Sequence, residues 1–284
     1  MAVALVSDTC HYLPPELVAR HRIHQVSLYV HWPQGAERES DIRDYDAFYA
    51  RLRAAAALPT TSQPSIGDFL AVYEPLLDEG HEVVSIHLAG GMSGTVRVAE
   101  QARDQLGERA RRVHVLDSAT ACGGQGLMLL AAAAAADRGA DAAGVIEQAQ
   151  RAREQLRMWF AIDSLEFLRR GGRIGGARAW LGATLQIKPI LTVEAEITPV
   201  ERVRTWRRAF DRLLELLAER ARAGADGWMI QHIQAPEQAQ ELLVRGREMF
   251  GCEPVGISEI GPVIGAHVGP GLLGVGGIQR ALLG

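Results

Sequence analysis

Three short polar clusters carry the residue types that can do chemistry. They are Thr60-Thr61-Ser62-Gln63-Pro64-Ser65, Gly90-Gly91-Met92-Ser93-Gly94-Thr95 and Gly265-Ala266-His267-Val268-Gly269-Pro270-Gly271. Each sets hydroxyls or an imidazole among glycine and proline, in a chain otherwise rich in Ala, Leu and Val. Such clusters suit loops whose backbone N–H groups and hydroxyls converge on one small polar group, most simply an anion. Where the rest of a ligand is apolar, a carrier holds the carboxylate head of a lipid in this way.

Each cluster also has a plainer reading. Ser93 precedes a helix, so it serves either as an N-cap or as a hydroxyl for a bound anion. Ser65 with Asp68 three residues on reads as a capping box, which accounts for Ser65 but not for Thr60, Thr61 and Ser62. His267 reads as a loop residue that no helix or strand face demands, and a functional and an incidental role both stay open. Arg169, Arg170, Arg173 and Arg178 flank a glycine-rich turn, as a solvated basic face at a helix C-terminus or as a phosphate or partner contact. The glycines of 171–176 have neither P-loop nor dinucleotide spacing.

Ser93, His267 and Asp8 are the right types for a nucleophile, base and orienter, so a serine esterase or thioesterase is one competing reading, and a carrier of another small carboxylate is the other. Against the esterase, a nucleophile elbow wants glycine two residues after the serine, where Thr95 stands. No His-Glu-x-x-His or comparable ligand spacing argues for a metal. Lys188 is the sole lysine among 30 basic residues. It marks either a need for a compact ammonium or chance survival in an arginine-biased chain.

These residues need a scaffold, and the pattern supplies one. Ala2–Val6 reads as a strand ending at Ser7-Asp8-Thr9, followed by a helix from Pro14 to about His21, a strand Gln25–Val30 and a helix Tyr45–Ala57. A loop over Pro59–Ser65 opens into a helix Ile66–Leu77. Then come a strand Glu82–Leu88, a helix from Gly94 to about Leu106, a strand Arg112–Leu116, an Ala-rich helix through Ala136 and a helix Ala142–Leu156. This β-loop-α alternation predicts a mainly parallel sheet with helices on both faces. It also puts Asp8, Ser93 and Asp117-Ser118 at the carboxyl ends of strands, where open α/β sheets bind ligands.

The second half starts with a strand Met158–Ile162 and a short helix Asp163–Arg169. Paired strands over Leu185–Val193 and Glu194–Val200 follow. A helix Thr205–Ala223, a strand Gly227–Gln231, a helix Pro236–Phe250 and a strand Pro254–Ile260 complete it. The fold class is thus α/β with two units, residues 1–157 and 158–284.

Composition agrees with a folded soluble protein: 284 residues, 48% hydrophobic and 23% charged, with a formal net charge of -4. That charge lacks the basic bias of a nucleic-acid binder. Three well-separated cysteines form no disulfide framework. The start, MAVALVSDTC, has no basic n-region and reads as a first strand, so the expectation is a cytoplasmic location.

The motifs together resemble the DegV family of bacterial fatty-acid-binding proteins, which includes the FakB-type partners of fatty acid kinase. The residues that carry the resemblance run along nearly the whole chain: Val6-Ser7-Asp8, Thr61-Ser62-Gln63-Pro64-Ser65, Met92-Ser93-Gly94-Thr95, Asp117-Ser118, Leu165 through Ile174, Ile187-Lys188-Pro189-Ile190-Leu191, Val203-Arg204-Thr205 and Gly265 through Gly271. The resemblance implies two α/β domains with a long-chain fatty acid buried between them. Its carboxylate would sit near Thr61, Ser62, Ser93 and His267, with Gly94, Thr95 and Asp8 in support. It also implies a protein with no catalysis and no cofactor of its own, presenting the carboxylate to a fatty acid kinase through Arg170, Arg173 and Arg204. Transient contact with a membrane surface fits this picture. Two departures stand out: Ser27 replaces a usual proline, and bulky Met92 replaces the commoner leucine before Ser93.

Overall fold

The apolar run Ala4-Leu5-Val6 builds strand β1 (Val3–Asp8), the first element of a computed structural model that describes residues 2–181 and 187–284. At its end the Asp8 carboxylate accepts the Cys10 N–H and turns the chain into a short 3-10 segment. Helix α1 (Pro15–Arg20), opened by proline, leads to β2 (His24–Val26). The single strand expected over Gln25–Val30 is in fact two. Ser27 donates its hydroxyl to the Leu28 carbonyl at 2.8 Å and accepts the Ser40 N–H at 3.0 Å, which diverts the backbone from the ladder. The chain re-enters as β3 (Tyr29–Trp32), paired with β4 (Gly35–Arg38) in another sheet.

Helix α2 (Tyr45–Ala54) ends three residues earlier than its periodicity predicts. The segment read as a loop, Pro59–Ser65, contains β5 (Thr60–Ser62), antiparallel to β3. The capping box of Ser65 and Asp68 opens α3 (Ile66–Asp78), as its spacing predicts. The half finishes with β6 (Glu82–His87), α4 (Thr95–Gln105), β7 (Val113–Asp117), α5 (Gly123–Asp137) and α6 (Ala142–Gln155).

Among the described residues these strands form a parallel sheet ordered β2-β1-β6-β7 and a small antiparallel sheet ordered β4-β3-β5. Helices α3 and α4 cover one face of the parallel sheet through Phe69, Tyr73, Val98 and Ala99. Helices α5 and α6 cover the other through Leu127, Ala131, Val145 and Ala149. The Ala-rich α5 is buried around most of its circumference, so its small side chains permit the close approach of α6.

The second half runs β8 (Arg157–Ala161), α7 (Glu166–Arg170), β9 (Lys188–Glu194), β10 (Glu196–Val203), α8 (Trp206–Arg222), β11 (Gly227–Ile233), α9 (Pro236–Phe250), β12 (Gly256–Glu259), α10 (Pro262–Val268) and β13 (Leu272–Ile278). Its sheet has the order β10-β9-β8-β13-β11-β12, with only β11 and β12 parallel. The predicted pair of strands is present as β9 and β10, although the proposed start at Leu185 lies outside the described residues. Helices α8 and α9 bury Phe210, Leu213, Leu217 and Leu242 against one face. The opposite face meets α5.

Two elements here escape the sequence pattern. Strand β13, with three glycines in LLGVGGI, has no clear alternation yet lies at the centre of its sheet. The segment holding His267 is not a loop but the last turn of α10. Pro262 opens that helix and Gly269, at φ 78°, ends it. Gly265 sits in mid-helix because a side chain there would overlap the Tyr49 phenol.

Gly265→Ala is therefore expected to destabilise the fold by about 1–3 kcal/mol, the usual cost of overpacking a close contact. Urea unfolding of the two proteins measures it, and an unchanged midpoint would show that α10 has room to shift.

Candidate functional site

Four elements converge on one polar pocket. Strand β5 supplies Thr61, the turn after β6 supplies Met92 and Ser93, the turn after α7 supplies Arg173, and α10 supplies His267. The His267 Nε2 and Thr61 Oγ1 atoms are 2.7 Å apart. Its Nδ1 is buried without a hydrogen-bond partner, closely covered by the backbone at Gly171. Burial, and then the positive charge of Arg173, push the His267 pKa down to about 4, so the ring is neutral at physiological pH. Arg173 gives hydrogen bonds to the Gly171 carbonyl at 2.8 Å and the Met92 carbonyl at 3.4 Å, keeping its charge at the pocket wall.

The structure separates residues that the sequence grouped. Thr61 and Ser62 are neighbours on a strand, so they point to opposite faces. Thr61 meets His267, whereas the Ser62 hydroxyl lies 2.8 Å from His31 Nε2, although Ser62 still borders the pocket. Ser93 is not the cap of α4: Gly94 holds that position without a side-chain cap, and the Ser93 hydroxyl lies 2.9 Å from that of Thr95. Thr95 itself is fully buried.

The pocket adjoins an apolar chamber. Met92, Ile264 and Val268 belong to both, and Trp159, Phe160, Val193, Ile197, Ile260 and Leu272 continue the apolar wall. The cavity volume is about 60 Å³ in the chamber and about 40 Å³ in the polar pocket. Hydroxyls, a neutral imidazole and one guanidinium at the head of an apolar cavity suit an amphiphilic anion.

Behind the pocket lie residues whose role the sequence did not disclose. Asp8 does not reach His267. Its Oδ2 accepts the Leu88 N–H at 2.9 Å and lies 3.0 Å from His87 Nδ1, while Oδ1 accepts from Cys10 and Gln125. Asp8 thus ties down the backbone leading to Ser93. Burial by itself drives its pKa up, but the His87 contact, the Leu88 N–H and the Gln125 amide outweigh burial and hold it below 3.8. A hydrolytic triad of Ser93, His267 and Asp8 is not assembled.

Glu39, also buried, accepts the Val263 N–H at 2.8 Å and the Tyr12 hydroxyl at 2.6 Å, with Thr9 on its other oxygen. Tyr49 donates to the Ile260 carbonyl at 2.6 Å. These contacts clamp the start of α10, and hence its far end at His267. Nothing in the spacing of Glu39 marks it, since its partners are 27, 30 and 224 residues away.

Among the cations, Arg170 is exposed at the end of α7 and Arg204 is exposed just before the Thr205 cap of α8. Neither lines the polar pocket as Arg173 does. Lys188 pairs with Asp163, which also accepts the Trp206 indole N–H at 2.8 Å, so the sole lysine fastens β9 to the turn before α7. Among the described residues no group of three His, Cys, Asp or Glu side chains is placed to hold a metal. Among them, too, no helix is long and apolar enough to cross a membrane.

A family model described as an uncharacterised protein of the DegV family matches residues 2–280. Protein DegV of Bacillus subtilis is 35% identical over 278 residues, covering 97% of this chain and 98% of the relative. A solved DegV family protein from Thermus thermophilus, described by its fatty acid binding, superposes with a TM-score of 0.89 at 33% identity, covering 98% of this chain and all of that one. The solved DegV of Bacillus subtilis, described as a fatty acid binding protein, gives a TM-score of 0.88 at 33% identity, with 98% and 99% covered.

Two pH effects follow from the site. Folded His267, with a pKa of about 4 against an ordinary 6.5, is harder to protonate than in the unfolded chain, so stability falls as pH drops from 6.5 towards 4. His267→Gln, which preserves a partner for Thr61, is expected to flatten that limb. Asp8 acts lower down. Its contribution is full above 3.8 and fades as the pH falls through its lower folded value, a loss that Asp8→Asn removes. Denaturant unfolding at a series of pH values measures both, and parallel curves for wild type and variants would refute the assignments.

Proposed function

This chain belongs to the DegV family, and we propose that it carries one long-chain fatty acid, with the carboxylate at Thr61, Ser93 and His267 and the tail in the apolar chamber. The single observation that carries the reading is that the two cavities adjoin, sharing Met92, Ile264 and Val268 in their walls, with Thr61, Ser93, Arg173 and His267 gathered at the polar one. Each methylene buried contributes roughly 0.8 kcal/mol, so the tail supplies the affinity. The head group must be hydrogen-bonded or its burial is prohibitive. A neutral His267 in the Nε2–H form donates to Thr61, and the Thr61 hydrogen is then free to point at a carboxylate oxygen. Ser93 offers a second hydroxyl, Arg173 the balancing charge, and Gly94 and Thr95 the frame. Ser62 acts through its backbone neighbourhood and its bond to His31.

The two halves, residues 1–157 and 158–284, act as domains that enclose the acid and shield it from water. The carrier has no chemistry of its own and hands the carboxylate to a fatty acid kinase for acyl-phosphate formation, working in the cytoplasm. Exposed Arg170 and Arg204, with Arg173 at the pocket wall, form the cationic contact for that kinase and its phosphates. The esterase reading is the weaker one, because Asp8 is spent on His87 and backbone N–H groups and gives His267 no orienter.

Mass spectrometry of organic extracts from purified protein tests the carrier. Wild type is expected to release stoichiometric fatty acid. Ser93→Ala and His267→Ala are each expected to bind about tenfold or more weakly, since a hydrogen bond to a charged group contributes about 1.5–3 kcal/mol. An empty wild-type extract, with no uptake after delipidation, would sink the proposal, and covalent capture of Ser93 by a fluorophosphonate would revive the esterase. For the second step, Arg170→Ala and Arg204→Ala are expected to keep their fatty acid yet slow acyl-phosphate formation by an added fatty acid kinase with ATP. Unchanged rates would remove these arginines from the kinase contact.

A further inference from the structure

The apolar chamber rests on the six-stranded sheet, and the register of that sheet orders the residues along its floor. Gln231, Gly274 and Phe160 share one row across β11, β13 and β8. Met229, Gly276 and Met158 share the row two residues further along β13. Side chains in register on adjacent strands, and in rows two residues apart, project from the same face. Gln231, Gly274 and Phe160 border the chamber, as does Met158. The central strand therefore carries glycine at both successive positions on this face.

The two glycines meet different surroundings. A Cβ built at Gly274 lies 3.5 Å from Phe160 Cβ and 3.6 Å from a Leu272 methyl, which are ordinary contacts. A side chain is therefore accommodated at Gly274, a position that borders the chamber. At Gly276 the corresponding space is taken, because the Met158 side chain and the Arg157 carbonyl overlap any added Cβ. Met158 continues across the strand until its Cε comes within 3.0 Å of the Cβ position of Gly123, at the start of α5, with the Met229 sulfur equally close. On the flank Gln231 is immobilised. Its Oε1 accepts the Gly123 N–H, and its Nε2 gives bonds to Ser258 Oγ at 3.0 Å and the Tyr12 carbonyl at 3.2 Å. The closure is thus a thioether laid over a glycine, framed by rigid groups.

We infer that Met158, lying across Gly276, is the stop that sets the longest acyl chain the chamber accepts, and that bare Gly274 keeps the last stretch before it open. This rests on the fatty-acid reading of the cavity and adds its chain-length selectivity. Methionine is unbranched and flexible, so the stop yields to small differences in tail shape while still limiting length.

The test uses the full chain as wild type, Met158→Ala, Met158→Leu and Gly274→Val. Each is delipidated, offered an equimolar mixture of straight saturated fatty acids of graded length, and analysed for bound acid by mass spectrometry. Met158→Ala is expected to move the preferred acid longer by about two methylenes, the space vacated by the lost side-chain atoms. The ratio of longer to wild-type-length acid is expected to rise about fourfold per methylene accommodated. Gly274→Val is expected to move the preference shorter, and Met158→Leu, similar in volume, to leave it in place. Wild-type length profiles in both Met158→Ala and Gly274→Val would overturn the inference while leaving the carrier intact. Failure of the wild type to take up any fatty acid would overturn the carrier reading itself. If Gly274→Val does not fold, the alanine and leucine variants at Met158 decide the matter alone.

Discussion

The hydrogen bond between His267 and Thr61 joins residues 206 apart in sequence and holds the polar end of the cavity together. Helix α10, which carries the histidine, is only about two turns long and cannot fix its own position. Its start is held by Glu39 and Tyr12, its approach by the Tyr49 phenol, and its close fit by the absence of a side chain at Gly265. The strand that carries Thr61 is in turn placed by pairing with β3. The site therefore depends on packing between the two halves of the chain, not on any one loop.

Where the buried charges point decides what the pocket can bind. Asp8 and Glu39 are both almost completely excluded from solvent, and each spends its oxygens on backbone N–H groups and neighbouring hydroxyl or ring donors. For Glu39 burial prevails, so its carboxyl titrates above the ordinary range even though Thr9, Tyr12 and the Val263 N–H oppose the rise. Such groups would be very costly unpaired, and they are satisfied behind the pocket. The pocket proper is left with hydroxyls, a neutral imidazole and one guanidinium. That set is complementary to an anion and would be spoiled by a carboxylate of its own.

Beyond the polar end the chain changes strategy. Met158 and Gly274 line the chamber on its sheet side, so the cavity there is shaped by a missing side chain as well as by those present. The same economy appears in α5, where alanines and glycines let the helix lie against its neighbours and start beside the chamber.

Much of this was legible from residue order. Alternating apolar strands and helices with clear caps, such as Ser65 with Asp68, report the parallel sheet and its covering layers, because those periodicities are local. The clustered hydroxyls, His267 and Arg173 point to an anion site for the same reason: each cluster is contiguous in the chain. Local pattern misled where tertiary contacts overruled it. Ser27 breaks a strand through a bond to distant Ser40, the glycine-rich segment around His267 is a helix packed closely against Tyr49, and β13 becomes a central strand through its neighbours. The roles of Glu39, Gln231 and Met158 have no sequence signature, since their partners lie many residues away. By itself the sequence determined the α/β class and the residue types of the site. Only the tertiary structure decided that Thr61 faces His267 while Ser62 turns away, that Asp8 supports backbone instead of base, and which side chains line the chamber, because those outcomes depend on which distant surfaces share one buried volume.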